Sequence, residues 1–207
     1  MVRSYNNLYH GWINLYKDSG LTSNDALRLI KSIFKGCKIG HAGTLDPMAK
    51  GILPIALGEA TKTVPYIHEK NKTYLFAIKF GEQTDTDDAT GKIIGKSDRK
   101  PDIEQIKSVL HDYVGPINQI PPIYSAKKFN GIRSYELARK GVVPDMVSKA
   151  KTVHIENIKL VEMNSDSECT IEVTCGTGTY IRSISKHIGV KMNLCCHVSR
   201  IERTRYG

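Results

Sequence analysis

A single carboxylate, Asp46, lies within Gly40-His41-Ala42-Gly43-Thr44-Leu45-Asp46-Pro47-Met48-Ala49-Lys50-Gly51-Ile52-Leu53-Pro54, among three glycines and two prolines. The glycines suit a backbone that turns tightly or lies close to another group. Pro47 has no N–H and disfavours the α region for the residue before it. Asp46 is therefore expected on a bent, extended piece of chain, just before a possible helix start. Two readings fit this spacing. Asp46 caps a helix whose first residue is Pro47, or the stretch presents a carboxylate for chemistry.

Other residues could also do chemistry. Gly176-Thr177-Gly178-Thr179-Tyr180-Ile181-Arg182 runs from a turn into a helix and carries one guanidinium. A Gly-x-Gly without a third glycine is a weak nucleotide signal, and read alone Arg182 is a surface arginine on a helix. Thr84-Asp85-Thr86-Asp87-Asp88-Ala89-Thr90-Gly91 has its glycine one place late for an EF-hand and no closing glutamate, which leaves a solvated hairpin turn. Cys195-Cys196-His197 lacks zinc spacing and reads as buried free thiols. Tyr74, at the start of an apolar strand, is by pattern a core tyrosine.

The elements that carry these residues alternate between strand and helix. Trp12 to Tyr16 reads as a short strand. Thr22 and Asp25 form a capping box before a helix with Ala26, Leu27, Ile30, Ile33 and Phe34 on its inner face, ending near Lys35-Gly36. Lys72 to Phe80 alternates as a central strand, with Tyr74, Phe76, Ile78 and Phe80 on one face. Asp102 to Leu110 reads as a helix with Ile103, Ile106 and Leu110 inward. Pro121 and Pro122 bar regular structure, and Tyr124, Lys127 and Lys128 beyond them suit a nucleic-acid groove. Tyr135 to Gly141 is a short helix with a glycine stop. Thr152 to Met163 and Glu168 to Cys175 form a hairpin, and Val198 to Arg205 a strand with a basic face.

Gly-His-Ala-Gly-Thr-Leu-Asp-Pro at 40–47, continuing to Gly58-Glu59-Ala60-Thr61-Lys62, resembles the catalytic motif of the bacterial tRNA pseudouridine synthases that modify the T-loop, the pseudouridine-55 synthases. Ser23 to Leu27, Thr84 to Asp88, Pro122 to Lys128 and Gly178 to Arg182 resemble further segments of that family, over about residues 8 to 207. One departure is Asp18 after Lys17, where the family has Lys-Pro; it is expected to touch no catalytic residue. The resemblance implies an α+β fold, a mixed, mostly antiparallel sheet flanked by helices, as one domain over 1–207. It also implies a thumb-like insertion over about 121–150, and the chain is expected to lack a separate C-terminal RNA-binding domain.

By the same resemblance, Asp46 is the catalytic carboxylate, Tyr74 the active-site tyrosine, Arg182 the cation beside Asp46, and Asp88 the partner of Arg182. His41 is expected to fill the place of a flipped uridine. Lys127, Lys128, Arg133, Arg200, Arg203 and Arg205 are expected to hold RNA, with only some of the last three facing it. The implied reaction isomerises a uridine of tRNA and needs no cofactor and no metal. The expected partner is the T-arm stem-loop of tRNA, bound by a monomer.

Composition agrees with an anionic partner: 30 Lys and Arg against 21 Asp and Glu give a formal net charge of +9. No apolar run approaches membrane-spanning length, and the start shows no signal-peptide pattern, so a cytoplasmic protein is expected. Five cysteines without a framework fit a reducing compartment. Three rivals stand beside this reading. A non-catalytic RNA-binding protein would not need Asp46, Tyr74 and Arg182. A carboxylate glycosidase needs a second carboxylate facing Asp46. A guide-RNA-directed pseudouridine synthase is expected to carry additional binding segments.

Overall fold

The structure is a computed structural model that describes residues 9–207. Residues 1–8 of the expected domain, with the start of the chain that bears on a signal peptide, lie outside the described residues. The elements in chain order are β1 (Gly11–Lys17), α1 (Ser23–Ile33), β2 (Ile39–His41), β3 (Lys50–Leu57), α2 (Val64–His68), β4 (Lys72–Phe80), β5 (Glu82–Thr84), β6 (Ile93–Lys96) and α3 (Ile103–His111). There follow β7 (Gly115–Gln119), β8 (Lys128–Phe129), β9 (Ile132–Arg133), α4 (Ser134–Arg139), β10 (Lys151–Ser165), β11 (Glu168–Cys175), α5 (Ile181–Met192) and β12 (Cys196–Tyr206). The fold is α+β, with mixed, mostly antiparallel strand pairing. The chain divides into two compact units: the described residues through Tyr74 with Ile201–Gly207, and Leu75–Arg200. β4 and β12 each contribute to both.

In the first unit β3 is central. It pairs antiparallel with β1 from Gly11↔Leu57 to Lys17↔Gly51. Along its other edge it pairs antiparallel with β2 at His41↔Ile55 and parallel with β12 at Glu202↔Lys50 and Arg203↔Gly51. Leu53, Ile55 and Ala56 are fully buried. Burial of each Leu or Ile side chain contributes about 1.5–3 kcal/mol. α1 begins at the expected capping box: Thr22 Oγ1 accepts from the Asp25 N–H at 3.0 Å, and the Asp25 carboxylate accepts from the Thr22 N–H at 3.0 Å. Its inner face extends less far than expected. Ala26 is buried and Leu27, Ile30 and Phe34 are half-buried, Phe34 against the Tyr9 ring, but Ile33, seven residues after Ala26, is exposed.

No helix follows Pro47. The Ala49 N–H closes a turn on the Asp46 carbonyl at 3.1 Å, and the chain enters β3 at Lys50. Ile52 to Leu57 is apolar enough to be buried as a strand, and the ladder with β1 outcompetes the helix start that Pro47 permits.

In the second unit the strand order is β12, β4, β11, β10, β7. β10 and β11 form the expected hairpin, with Cys169, Ile171, Val173 and Cys175 fully buried. β7 pairs antiparallel with β10 from Gln119↔Lys151 to Gly115↔Ile155. α3 starts at Asp102, whose carboxylate accepts from the Glu104 N–H, and buries Ile106 and Leu110. Ile103, expected inside, is exposed in the first turn. Residues 121–150 hold the short β8–β9 hairpin and α4. The Ser134 N–H donates to the Lys127 carbonyl at 2.7 Å, and Ser134 Oγ donates to the Ile123 carbonyl.

Candidate active site

The Asp46 turn is the loop of a hairpin. β2 and β3 bring its ends together, and the Ala42 N–H extends their ladder to the Pro54 carbonyl at 2.9 Å. Its middle is fastened from α1: Ser23 Oγ donates to the Leu45 carbonyl at 3.1 Å and accepts from the Leu45 N–H at 2.9 Å. The Pro47 carbonyl accepts from the Gly20 N–H at 2.8 Å. Asp46 is thus half-buried on bent backbone between two fixed neighbours.

Two cations complete this turn: Lys17, to which the sequence reading gave no role, and Arg203, which it placed on RNA. Lys17 is 1% exposed, and its ammonium donates to the carbonyls of Leu21 at 2.7 Å, Asp18 at 2.9 Å and Pro47 at 3.4 Å. Burial pushes the Lys17 pKa down, while the negative charges of Asp46 and Asp18 pull it back up. Lys17 and Gly20 both hold the Asp46 turn at the Pro47 carbonyl.

Arg203 is the second cation. It is 1% exposed, and its guanidinium donates to the carbonyls of Ile52 at 2.7 Å and Gly43 at 3.0 Å. It is therefore not the RNA-facing residue expected on a basic strand. β12 lies between β3 and β4, and alternation turns Arg203 inward with Ile201. Two glycines make room for this arrangement. Gly51 has φ +114°, and a Cβ there would come within 2.3 Å of the Arg203 carbonyl. At Gly43, φ +74°, a Cβ would press on the Tyr206 ring at 3.2 Å.

Tyr74 is half-buried, with its ring centroid 6.0 Å from the Arg203 guanidinium. The same guanidinium lies 4.9 Å from the Tyr206 ring centroid. Burial pushes the Tyr206 phenol up to about 12. His41 is half-buried on β2, and its Nδ1 has no hydrogen-bond partner among the described residues. Burial pushes its pKa down, and the charges of Arg203 and His68 push the same way.

In the second unit Arg182 is 4% exposed, not on the surface. It stands in the first turn of α5, and the residue before that helix is clamped: Gln119 Nε2 donates to the Tyr180 carbonyl at 3.0 Å, and Gln119 Oε1 accepts from the Tyr180 N–H at 2.7 Å. The guanidinium donates to the carbonyls of Thr86 at 3.1 Å and Tyr124 at 3.0 Å, and Nε lies 3.7 Å from Asp88 Oδ2. Asp88 in turn accepts at Oδ1 from Thr86 Oγ1 at 2.8 Å, Thr90 Oγ1 at 2.6 Å and the Thr90 N–H at 3.0 Å. The structure thus brings Arg182 and Asp88 together. It also overturns the solvated turn expected at 84–91, since Asp87 and Asp88 are both buried. The Val198 N–H donates to the Asp87 carbonyl, and the Ala89 N–H donates to the Val198 carbonyl, so β12 seals the turn.

Lys128 and Arg133 face each other across β8 and β9 and are exposed; Lys127 is half-buried. None of the three has a carboxylate partner among the described residues. Arg200 is exposed and donates to Thr170 Oγ1 at 3.3 Å; Arg205 is exposed and donates to the Gly207 carbonyl at 2.7 Å. Cys196 and His197 are buried, and Cys195 is half-buried. Cys196 Sγ contacts the Ser185 carbonyl, and His197 Nδ1 lies 2.8 Å from the Glu82 carbonyl. Among the described residues no group of three or more His, Cys, Asp or Glu could hold a metal, and no helix is long and apolar enough to cross a membrane.

A family model described as TruB family pseudouridylate synthase, N terminal domain, matches residues 31–181, well over half of the chain. The chain belongs to this family. It is 42% identical over 199 residues to the tRNA pseudouridine synthase B of Ehrlichia canis, covering 96% of this chain and 65% of that protein. To the protein of the same name from Bartonella henselae it is 46% identical over 193 residues, covering 93% of this chain and 60% of that one. The chain therefore spans under two thirds of the length of these curated relatives. Among solved structures, one chain of a Cbf5-Nop10-Gar1 complex superposes with a TM-score of 0.73 at 29% identity, over 95% of this chain and 49% of that one. The matched family residues include the Asp46 turn, Tyr74 and Asp88 and end one residue before Arg182.

Proposed function

We propose that this protein isomerises the T-loop uridine of tRNA, at position 55, to pseudouridine, acting as a cytoplasmic monomer on the T-arm stem-loop. The observation that carries this reading is the Asp46 turn, a carboxylate held on fastened backbone within the family's matched region. The names of the curated relatives support tRNA as the substrate.

The uridine first leaves its stack. Tyr74 stacks on the flipped base, and His41 occupies the vacated place. Asp46 attacks C1′ as a nucleophile, or serves the formation of a glycal. The N1–C1′ bond breaks, the base turns, and a C5–C1′ bond forms. C5 loses a proton and N1 gains one, so atoms and electrons balance without a co-substrate. Arg182, oriented by Asp88, supplies the cation of the reaction; in a buried site a fixed guanidinium acts with little screening. Lys127, Lys128, Arg133, Arg200 and Arg205 hold RNA phosphates. The inward-turned Arg203 is not among them.

The test is to incubate the protein with a tRNA transcript and, separately, with its T-arm stem-loop, and to map pseudouridine. Product at the T-loop position is expected from both. The Asp46→Asn variant is expected to bind RNA and form no product, because an amide keeps the shape of the side chain but is a poor nucleophile. Pseudouridine formed by that variant at the unmodified rate overturns the role of Asp46. Product that appears only when a second RNA is added as guide overturns the stand-alone reading.

A further inference from the structure

Arg182 and Lys186 are four residues apart on α5 and so share one helix face. Their partners are consecutive: Arg182 Nε lies 3.7 Å from Asp88 Oδ2, while Lys186 Nζ lies 3.1 Å from Asp87 Oδ1 and 3.2 Å from Asp87 Oδ2. Two cations of one helix face thus grip two adjacent carboxylates of one turn. Asp87 is in the left-handed region at φ 60°, a conformation non-glycine residues hold only where their surroundings impose it. The Thr84 carbonyl accepts from its N–H at 3.2 Å, the Val198 N–H donates to its carbonyl at 3.1 Å, and Lys186 takes its side chain.

We infer that the Asp87–Lys186 pair is a positioning device for Arg182: it holds the 84–91 turn on α5 so that the Thr86 carbonyl and the Asp88 carboxylate are both aimed at the guanidinium. Thr86, Asp87 and Asp88 are consecutive, so a displacement at Asp87 moves two of the groups that hold Arg182. A simple stabilising role fits less well. Burial pushes the Asp87 carboxyl pKa up, outweighing the pull of Lys186 and Arg182, and Asp88 adds to the rise. The ionised carboxylate is therefore a cost to folding at neutral pH, as buried ion pairs often are. Asp87 is 4% exposed, and Lys186 reaches it from the helix surface. This inference rests on the proposed function, in which Arg182 serves the reaction.

Asp87→Asn keeps the side-chain shape and tolerates left-handed backbone, and Lys186→Met removes only the cation. Three quantities are measured on each variant and on the double variant: single-turnover rate at saturating protein on a tRNA transcript, RNA affinity, and hydrogen exchange of the Thr90 amide, which donates to Asp88. Each single variant is expected to lose about tenfold to a hundredfold in rate, with affinity changed less than about twofold. The double variant is expected to lose no more than either single one, because the two act as a unit. Lys186→Arg, which keeps the charge, recovers most of the rate. Thr90 exchange is expected to speed up in both single variants, with the unfolding temperature kept in Asp87→Asn and lowered in Lys186→Met, which leaves a buried carboxylate without its cation. Unchanged rate with unchanged Thr90 exchange overturns the inference, as does a lowered unfolding temperature with an unchanged rate. A parent protein that modifies no RNA defeats the proposed function instead, and Thr90 exchange still decides whether Asp87 and Lys186 hold the turn.

Discussion

The ammonium of Lys17 is aimed at the Pro47 carbonyl, 3.4 Å away, directly behind the carboxylate-bearing residue Asp46. The same ammonium holds the carbonyls of Leu21 and Asp18, so one buried cation ties the end of β1 to the Asp46 turn. Replacing Lys17 by Met keeps the bulk and removes the donors. The carbonyls of Leu21 and Asp18 then lose a charged donor, which costs about 1–3 kcal/mol and lowers the unfolding temperature by a few degrees. Calorimetry checks the loss of stability, and single-turnover kinetics at a temperature where the variant stays folded checks a fall in rate. A variant as stable as the parent removes Lys17 from the support of the turn.

Arg182→Met is expected to lower turnover by about a hundredfold or more, with RNA affinity changed by less than about threefold. Asp88→Asn should give a smaller loss of the same kind, since Thr86 and Thr90 still hold an amide oxygen at that place. Comparing single-turnover rates with filter-binding affinities separates the two effects. Weaker binding with normal turnover of the bound complex would make Arg182 a phosphate contact.

Stability should fall on the acid side because of His41. Its folded pKa lies below the ordinary 6.5, so as pH drops the unfolded chain takes up the proton first. The cost begins near pH 6.5, grows until the folded His41 also titrates, and is then constant. His41→Gln should flatten part of this slope. His187, pushed down mainly by burial, keeps the remainder. Urea midpoints for parent and variant across that range measure the difference, and parallel curves would remove His41 from the effect.

RNA binding should weaken with salt through exposed basic residues. With on the order of three to five phosphate contacts, affinity should drop more than tenfold between about 50 and 200 mM salt. Substituting Lys128 or Arg133 by Gln should each reduce the slope by about one. A near-flat salt series would defeat the phosphate contacts proposed for this hairpin.

Much of this molecule was legible in the sequence where local rules decide. Thr22 and Asp25 specify their capping box within four residues, and the alternation from Glu168 to Cys175 specifies a half-buried strand. The Asp46 turn was legible as bent chain, but the strand after it was not. Pro47 permits a helix start, and only the partners along β3 make Lys50–Leu57 a strand. Arg203 was misread for the same reason. Alternation names the residues that share its face, but not which face is covered, and that depends on β3 and β4, distant in sequence. Asp87 and Asp88 look solvated as a string of carboxylates. They are buried because α5 supplies two cations about a hundred residues later.

Arg203 also has a consequence for the order in which the protein can be made. Its guanidinium holds the Gly43 carbonyl across a separation of 160 residues. Closing so long a loop is entropically costly, and non-local contacts of this kind form late and slowly. On the ribosome the β2–β3 hairpin can form early, but the Asp46 turn cannot take its final support until β12 has emerged. The Leu75–Arg200 unit is synthesised in between and can condense first. A nascent chain released before Arg203 would carry its motif intact but without the guanidinium that holds the Gly43 and Ile52 carbonyls.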